Sequence, residues 1–141
     1  MRWTVPCLWA VLLATSALAA DSQGNLTVVL TGFRNDAGAA MVSVFQSPDG
    51  FPYETDKAVA KAKVAIKNGR AVAVFPGLAY GTYAVAAFHD QDLSGKLERN
   101  FVGIPKKGYG LSNSPPGLPG FAKSKFNLEA PDQTVSIPIS Y

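Results

Sequence analysis

The residues best suited to chemistry in this chain lie together in residues 89–98, whose sequence is HDQDLSGKLE. Oxygen-bearing side chains recur there at alternate positions around a glycine, directly after an apolar, strand-like run. If the first aspartate is position 1 of a D-x-D-x-S-G calcium loop, the spacing supplies ligands at positions 1, 3, 5, 7 and 9. The Ca²⁺ ligands that this spacing predicts are Asp90, Asp92, Ser94, the carbonyl of Lys96, and Glu98.

This loop lacks the bidentate glutamate that completes an EF-hand, because position 12 is Phe101. A site of this kind would bind Ca²⁺ with a dissociation constant of about 10⁻⁴ to 10⁻³ M and would brace a loop rather than sense a signal. Two other interpretations stay open. The acidic side chains could simply cap turns through backbone amides, or Lys106 or Lys107 could neutralise the loop across space and so replace the ion.

Catalytic interpretations of the same region have less support. His89 is the only histidine and Cys7 the only cysteine, so the companions of a zinc or copper site are missing, and we expect His89 to pack and hydrogen-bond at a strand end. Ser112 lies in GLSNS, which only half matches the G-x-S-x-G motif. Asp90 and Asp92 lie on one loop and need not face each other across a substrate. We therefore predict no enzymatic activity, with a hydrolase centred on His89 as the alternative.

Residues 1–20 have the pattern of a cleaved secretory signal peptide. Arg2 is followed by an apolar core and by the small-x-small sequence Ala17-Leu18-Ala19. The apolar run is too short for a membrane-spanning helix, so no transmembrane anchor is expected after cleavage. The prediction is a periplasmic or secreted single domain, residues 21–141, which contains no cysteine and cannot be held by disulfides.

Charge excludes little beyond nucleic acid as a partner. The full chain carries a formal charge of +3, which is ordinary for a small soluble domain. Lysines and arginines are nevertheless more frequent in the C-terminal third, and two interpretations follow. They could form a basic face towards an anionic surface, or they could simply be a solvated lysine-bearing loop.

Alternating and β-branched segments predict short strands. Residues 26–31 and 40–45 flank turn residues and are predicted to form a hairpin. Residues 63–67 and 70–75 flank Asn68-Gly69, which favours a two-residue type I′ turn, and are predicted to be neighbouring antiparallel strands. Between the two pairs, residues 53–61 could hold one or two helical turns.

The second half is predicted to contain a central strand and a long loop. Residues 81–88 are apolar on both faces, which indicates a central strand. Residues 89–120 show no period and are predicted to be an ordered loop, held to the body by the apolar residues Phe101, Val102, Ile104, Tyr109 and Leu111. After a further strand within residues 121–128, residues 133–140 should form the last strand, with Pro138 at an edge or near its end.

These elements predict an all-β fold: an antiparallel immunoglobulin-like or prealbumin-like β-sandwich of about seven strands with one long ordered loop. The segments Gly77–Asp90 and Gly103–Ser114, with Asp92, Gly95 and Leu97 between them, resemble a family of exported bacterial proteins known only as a domain of unknown function. The resemblance implies a sandwich similar to prealbumin-like and carboxypeptidase-regulatory-like domains, with no assigned activity. Where the family usually has an acidic residue after the proline, this chain has Lys106-Lys107.

The function expected from the sequence is that of a non-catalytic exported module, with Ca²⁺ as its candidate cofactor. It would bind an envelope, protein or glycan partner through residues 89–120, because a rigid scaffold presents a long loop there. The alternative is a structural or assembly role, in which an edge strand such as residues 133–141 pairs with another chain.

Overall fold

Eight strands form two facing sheets in the computed structural model, which describes residues 22–97, 99, 101 and 106–141. The predicted signal peptide, residues 1–20, lies outside the described residues. The strands are β1 (Gln23–Thr31), β2 (Ala39–Phe45), β3 (Ala60–Val64), β4 (Ala71–Ala79), β5 (Gly81–Asp90), β6 (Tyr109–Leu111), β7 (Phe126–Leu128) and β8 (Asp132–Pro138). A 3₁₀ turn (Thr55–Lys57) and a helical turn, α1 (Phe121–Ser124), complete the elements. The predicted β-sandwich is confirmed.

The smaller sheet has the order β4-β1-β8. Strand β1 pairs with β4 in antiparallel register and with β8 in parallel register, so that Asn25 lies opposite Asp132. The predicted edge position of the last strand is confirmed, and Pro138 ends β8, where its missing N–H costs the ladder little. The expectation of a wholly antiparallel sandwich is wrong at this one pair, because β8 enters the sheet beside the first strand and runs in its direction.

The larger sheet has the order β3-β2-β5-β6, and β7 pairs with the first residues of β5. The last eight residues of β5 are all buried, which confirms that this strand is central. Alternate residues of β1 point inwards in the opposite sheet, and the two inner faces enclose one core. Its buried side chains include Leu26, Val28, Leu30, Val42, Val44, Phe75, Tyr83, Val85, Leu128, Ile137 and Ile139.

The two predicted hairpins are wrong in the same way, because each turn joins strands of different sheets. Strand β1 belongs to the smaller sheet and β2 to the larger, and the same holds for β4 and β3. The turn at Asn68-Gly69 does form: both residues have positive φ, and Lys67 and Arg70 exchange backbone hydrogen bonds of 2.8 and 3.0 Å. The Asp36 carboxylate accepts hydrogen bonds of 2.9 Å from both turn amides. Beyond that turn, β3 pairs along its length with β2 and β4 pairs with β1.

The outer face of the larger sheet carries a second, smaller apolar cluster. The Phe51 ring packs edge to face against two other rings there. Its centroid lies 5.2 Å from that of Phe45 and 5.8 Å from that of Phe121. The expected helical turn between residues 53 and 61 is present as the 3₁₀ turn. Residues 121–128 form α1 followed by β7, where a single strand was expected.

The long loop after β5 contains one strand that the sequence pattern did not reveal, β6, which pairs with the middle of β5. Leu111 is buried and Tyr109 half-buried against the outer cluster, as expected of anchoring residues. The prediction that Phe101 also anchors the loop is wrong, because its side chain is fully exposed. Val102 and Ile104 lie outside the described residues.

Candidate functional site

The acidic loop, residues 90–97, begins where β5 ends beside the start of β2. Asp90 is the last residue of β5 and is 1% exposed, so its carboxylate has been removed from water. Leu93 and Gly95 adopt positive φ, which turns the chain sharply back over that carboxylate. The sequence therefore places a buried negative charge at the foot of a tight turn, and such a charge requires a partner.

The partner is Lys107. Its ammonium nitrogen, Nζ, lies 2.8 Å from Asp90 Oδ1 and 2.8 Å from Asp92 Oδ1. It also lies 2.7 Å from Ser94 Oγ and 2.8 Å from the Lys96 carbonyl oxygen. These four oxygens and the ammonium form what we call the Lys107 cage. Because an ammonium has three donors, the four acceptors share them.

Backbone amides use the remaining lone pairs of the same carboxylates. Gly95 N–H donates to Asp90 Oδ2 over 2.7 Å, and Ser94 N–H donates to Asp92 Oδ1 over 3.2 Å. The Ser94 hydroxyl donates to Asp90 Oδ1 over 3.4 Å. One Asp90 oxygen accepts from the Gly95 amide and the other from the Lys107 ammonium, so the same carboxylate caps the turn and binds the cation.

Electrostatics of the cage favour charged forms on both sides. The hydrogen bond from Lys107, and then the Ser94 amide, hold the pKa of the Asp92 carboxyl well below its usual range. Burial of the Lys107 ammonium acts to lower its pKa, but the hydrogen bonds and charges of Asp90 and Asp92 outweigh it, so the pKa is raised. Lys107 is therefore a cation throughout the neutral range.

Four of the five predicted metal ligands converge on one point: Asp90, Asp92, Ser94 and the Lys96 carbonyl. Glu98 lies outside the described residues. The point of convergence holds a lysine ammonium, which was one of the two alternatives to a bound ion. Among residues 22–97, 99, 101 and 106–141, no group of three or more histidine, cysteine, aspartate or glutamate side chains is arranged to hold a metal.

His89, buried next to the cage, has both ring nitrogens engaged. Nε2 lies 2.7 Å from the Ala37 carbonyl oxygen, which can only accept, so Nε2 carries a proton. The hydroxyl of Tyr141 lies 2.5 Å from Nδ1 and accepts a hydrogen bond of 3.2 Å from the backbone amide of Arg34. Both ring nitrogens of His89 are therefore held by partners inside the protein.

Ser112 is equally buried and equally engaged. Its hydroxyl donates to the Ser124 carbonyl oxygen over 2.5 Å and accepts from the Val85 amide over 2.9 Å. Its partners are therefore backbone groups that fix the start of the segment after β6 against β5. A nucleophile needs its proton directed at a base, and the partners of His89 and Ser112 do not include each other.

A cavity of about 360 Å³ adjoins the cage, and sequence reasoning did not find it. We call it the basic pocket; its lining residues are Arg34, Gln91, Lys106, Lys107, Gly108, Tyr109, Ser140 and Tyr141. The Arg34 guanidinium stacks 3.7 Å from the centre of the Tyr141 ring. Neither Arg34 nor Lys106 makes an ion pair with a carboxylate in the described part of the chain.

Comparison with protein families gives one match. The model of the family described as "Uncharacterized protein conserved in bacteria (DUF2141)" matches residues 28–136, which include the end of β1, all of β2 to β7, most of β8 and the whole Lys107 cage. The chain belongs to this family. No curated protein and no solved structure matches the chain. In the described ranges, no helix combines the length and the apolar character needed to cross a bilayer.

Proposed function

We propose that this domain is an exported, non-catalytic binding module whose basic pocket takes an anionic envelope glycan, that is, a saccharide bearing carboxylate or phosphate groups. The observation that carries the proposal is the pairing of two cations, Arg34 and Lys106, at the rim of a cavity walled by Tyr109 and Tyr141. Its volume falls in the range of small-molecule sites, about 300 to 1,000 Å³. Tyrosine rings pack against sugar rings, and guanidinium groups bind carboxylate and phosphate in two-point contacts.

The pocket is largely pre-formed, which supports a binding role. The Arg34 guanidinium is stacked on Tyr141, and the Tyr141 hydroxyl is held by His89. The Lys107 cage fixes the segment that supplies Lys106 and Gly108, because Lys107 is bonded to four oxygens. Rigid walls reduce the entropy that a ligand would otherwise lose on ordering them.

A non-catalytic role is supported by the hydrogen bonding of the two candidate catalytic residues. His89 and Ser112 are fully buried, and their polar atoms are bound to backbone groups or to Tyr141. A hydrolase centred on His89 would require the ring to leave both partners. Export is supported by the signal pattern of residues 1–20.

Isothermal titration calorimetry tests the pocket directly. The probes are an oligogalacturonate, which bears a carboxylate on each sugar, and a neutral dextran oligosaccharide of similar length. We expect binding of the first only, and a loss of at least tenfold in affinity in Arg34→Glu and Lys106→Glu. Lys61→Glu, which makes the same charge change at an exposed position of β3, is the matched control. Equal binding of both sugars, or equal losses in all three variants, would contradict the proposal.

A second candidate is assembly by strand addition, and the position of β8 favours it. This strand pairs with β1 on one side and ends the smaller sheet. An edge strand presents backbone donors and acceptors to another chain. Light scattering between 1 and 500 μM protein tests this role. A single monomeric mass throughout would count against pairing between copies of this chain.

A further inference from the structure

We propose that the acidic loop is a divalent-cation site in which the Lys107 ammonium takes the place of the metal, so that the native domain does not depend on Ca²⁺ and loss of this one side chain creates a Ca²⁺ site. The inference does not depend on the glycan proposal: Lys107 also lines the basic pocket, but the inference rests on the four oxygens around its ammonium and not on Arg34 or Lys106. It rests on the position of a positive charge within a set of oxygens whose spacing is recognisable in the sequence alone.

The oxygens around Nζ are those that a calcium loop supplies. They come from alternate residues, Asp90, Asp92 and Ser94, and then from a backbone carbonyl two residues later, at Lys96. In D-x-D-x-S-G loops these are positions 1, 3, 5 and 7, with the glycine at position 6. Gly95 occupies that position here and has φ of +76°. A positive charge lies where the ion of such a loop would lie.

The distances require little change for a metal to replace the ammonium. The four oxygens lie 2.7 to 2.8 Å from Nζ. Ca²⁺ takes oxygen ligands at about 2.3 to 2.6 Å, so each oxygen would move inwards by a few tenths of an ångström. Ca²⁺ also needs 6 to 8 ligands. A carboxylate at position 107, together with water, would supply more of them from the direction that the lysine side chain now occupies.

Charge explains why the native chain keeps the metal out. Asp90 and Asp92 together carry a charge of −2, and the ammonium reduces the charge of the group to −1. The ammonium is tethered to the same chain, so its effective concentration at the cage is in the millimolar range or higher. A divalent ion would have to displace it and then remain near the displaced positive charge. Ca²⁺ at about 10⁻⁴ to 10⁻³ M, where modest sites bind, does not overcome both effects.

Calcium titration of Lys107→Glu and the unmodified domain tests the inference. The matched control is Lys106→Glu, which makes the same charge change one residue away and outside the cage. We expect Ca²⁺ to raise the melting temperature of Lys107→Glu, with a dissociation constant of about 10⁻⁴ to 10⁻³ M by calorimetry. The unmodified domain and Lys106→Glu should melt at the same temperature in EDTA and in 5 mM CaCl₂.

Each outcome of the calcium titration supports or overturns the inference. If Lys107→Glu is unfolded in EDTA, recovery of its circular dichroism spectrum on adding Ca²⁺ supports the inference. If it stays unfolded with Ca²⁺, Lys107→Gln serves instead, since it removes the charge without adding one, and weak Ca²⁺ binding is expected. The inference is overturned if neither variant binds Ca²⁺, or if the unmodified domain binds it as tightly as Lys107→Glu does.

Discussion

Two lysines in this molecule each contact two carboxylates, and their surroundings differ greatly. Lys107 Nζ lies 2.8 Å from both Asp90 and Asp92, with side-chain exposures of 13% for the lysine and 1% for Asp90. Lys57 Nζ lies 3.1 Å from Asp49 and 3.9 Å from Glu54, and these three side chains are 43%, 71% and 59% exposed. The Lys107–Asp90 pair is thus buried at one end of β5, with the exposed Asp92 beside it, whereas Lys57 and both of its partners are solvated beside the 3₁₀ turn.

This difference in burial determines how much each lysine contributes to the free energy of unfolding. Exposed pairs contribute about 0 to 1 kcal/mol, because water screens them and two long side chains must be ordered. A buried carboxylate costs several kcal/mol if its partner is removed, because it is left as an unpaired charge. Lys107 therefore contributes to stability chiefly because its removal would leave the Asp90 carboxylate buried and unpaired.

The largest expected effect comes from removing each lysine in turn. Lys107→Met should lower the free energy of unfolding by about 3 kcal/mol, because it leaves the Asp90 carboxylate buried without a cation. Lys57→Met should lower it far less, because water screens this lysine and its two carboxylate partners. Urea denaturation in EDTA measures both values. Equal losses would show that burial does not distinguish the two lysines.

Two glycines at positive φ, Gly38 against the Asp90 backbone and Gly50 beside Lys57, give a matched test of packing at the two sites. A Cβ at Gly38 would overlap the backbone carbonyl of Asp90, whereas a Cβ at Gly50 would meet the flexible side chains of Glu54 and Lys57 at 2.9 to 3.0 Å. Both alanine variants strain the backbone, so that cost cancels in the comparison. Gly38→Ala should lower the unfolding free energy by about 2 kcal/mol more than Gly50→Ala, since backbone cannot move aside as side chains do. If urea denaturation gave similar losses of unfolding free energy for the two variants, the backbone around Gly38 would not be packed more rigidly than the side chains around Gly50.

Acid should weaken the cage through Asp92. Its pKa is lowered from the ordinary value of 3.8 by Lys107, so its contribution to stability is complete above about that pH and is lost as the pH falls through the folded-state pKa. The stability difference between the unmodified domain and Asp92→Asn should therefore shrink below pH 4. In a Lys107→Met background the same difference should depend much less on pH. Denaturation curves from pH 6 to 2.5 would contradict this if the two backgrounds behaved alike.

Salt should produce the smallest effect. Raising NaCl from 0.05 to 1 M shortens the Debye length from more than 10 Å to about 3 Å and weakens exposed pairs more than buried ones. The small cost of Lys57→Met should disappear, whereas most of the cost of Lys107→Met should remain. Loss of both costs in 1 M NaCl would indicate that the cage is open to solvent.

Local features of both the fold and the site could be predicted from the sequence. The type I′ turn at Asn68-Gly69 depends on two residues that tolerate positive φ, and the central position of β5 follows from its apolar residues on both faces. The alternation of oxygens in residues 90–96 likewise predicted their convergence. Each of these features depends on residues that are neighbours in the chain.

Features that depend on distant residues could not be predicted in the same way. The turn sequence does not determine which strand pairs with β3 or β4, because their partners, β2 and β1, both lie before the turn and outside it in the chain. Lys107 reaches the acidic loop from 11 to 17 residues further along. The basic pocket joins Arg34 to Tyr141, which are 107 residues apart. For the lysine of the cage, the signal in the sequence was the pair Lys106-Lys107, at a place where the resemblance implies an acidic residue.

The parallel ladder between β1 and β8 joins segments more than a hundred residues apart, with Asn25 opposite Asp132. A ribosome makes β1 about a hundred residues before β8, so the smaller sheet lacks its third member throughout that interval. Contacts at such long separation slow folding. One side of β1 therefore stays open in the nascent chain until β8 has been made, and a product truncated before residue 132 would leave that side without its ladder.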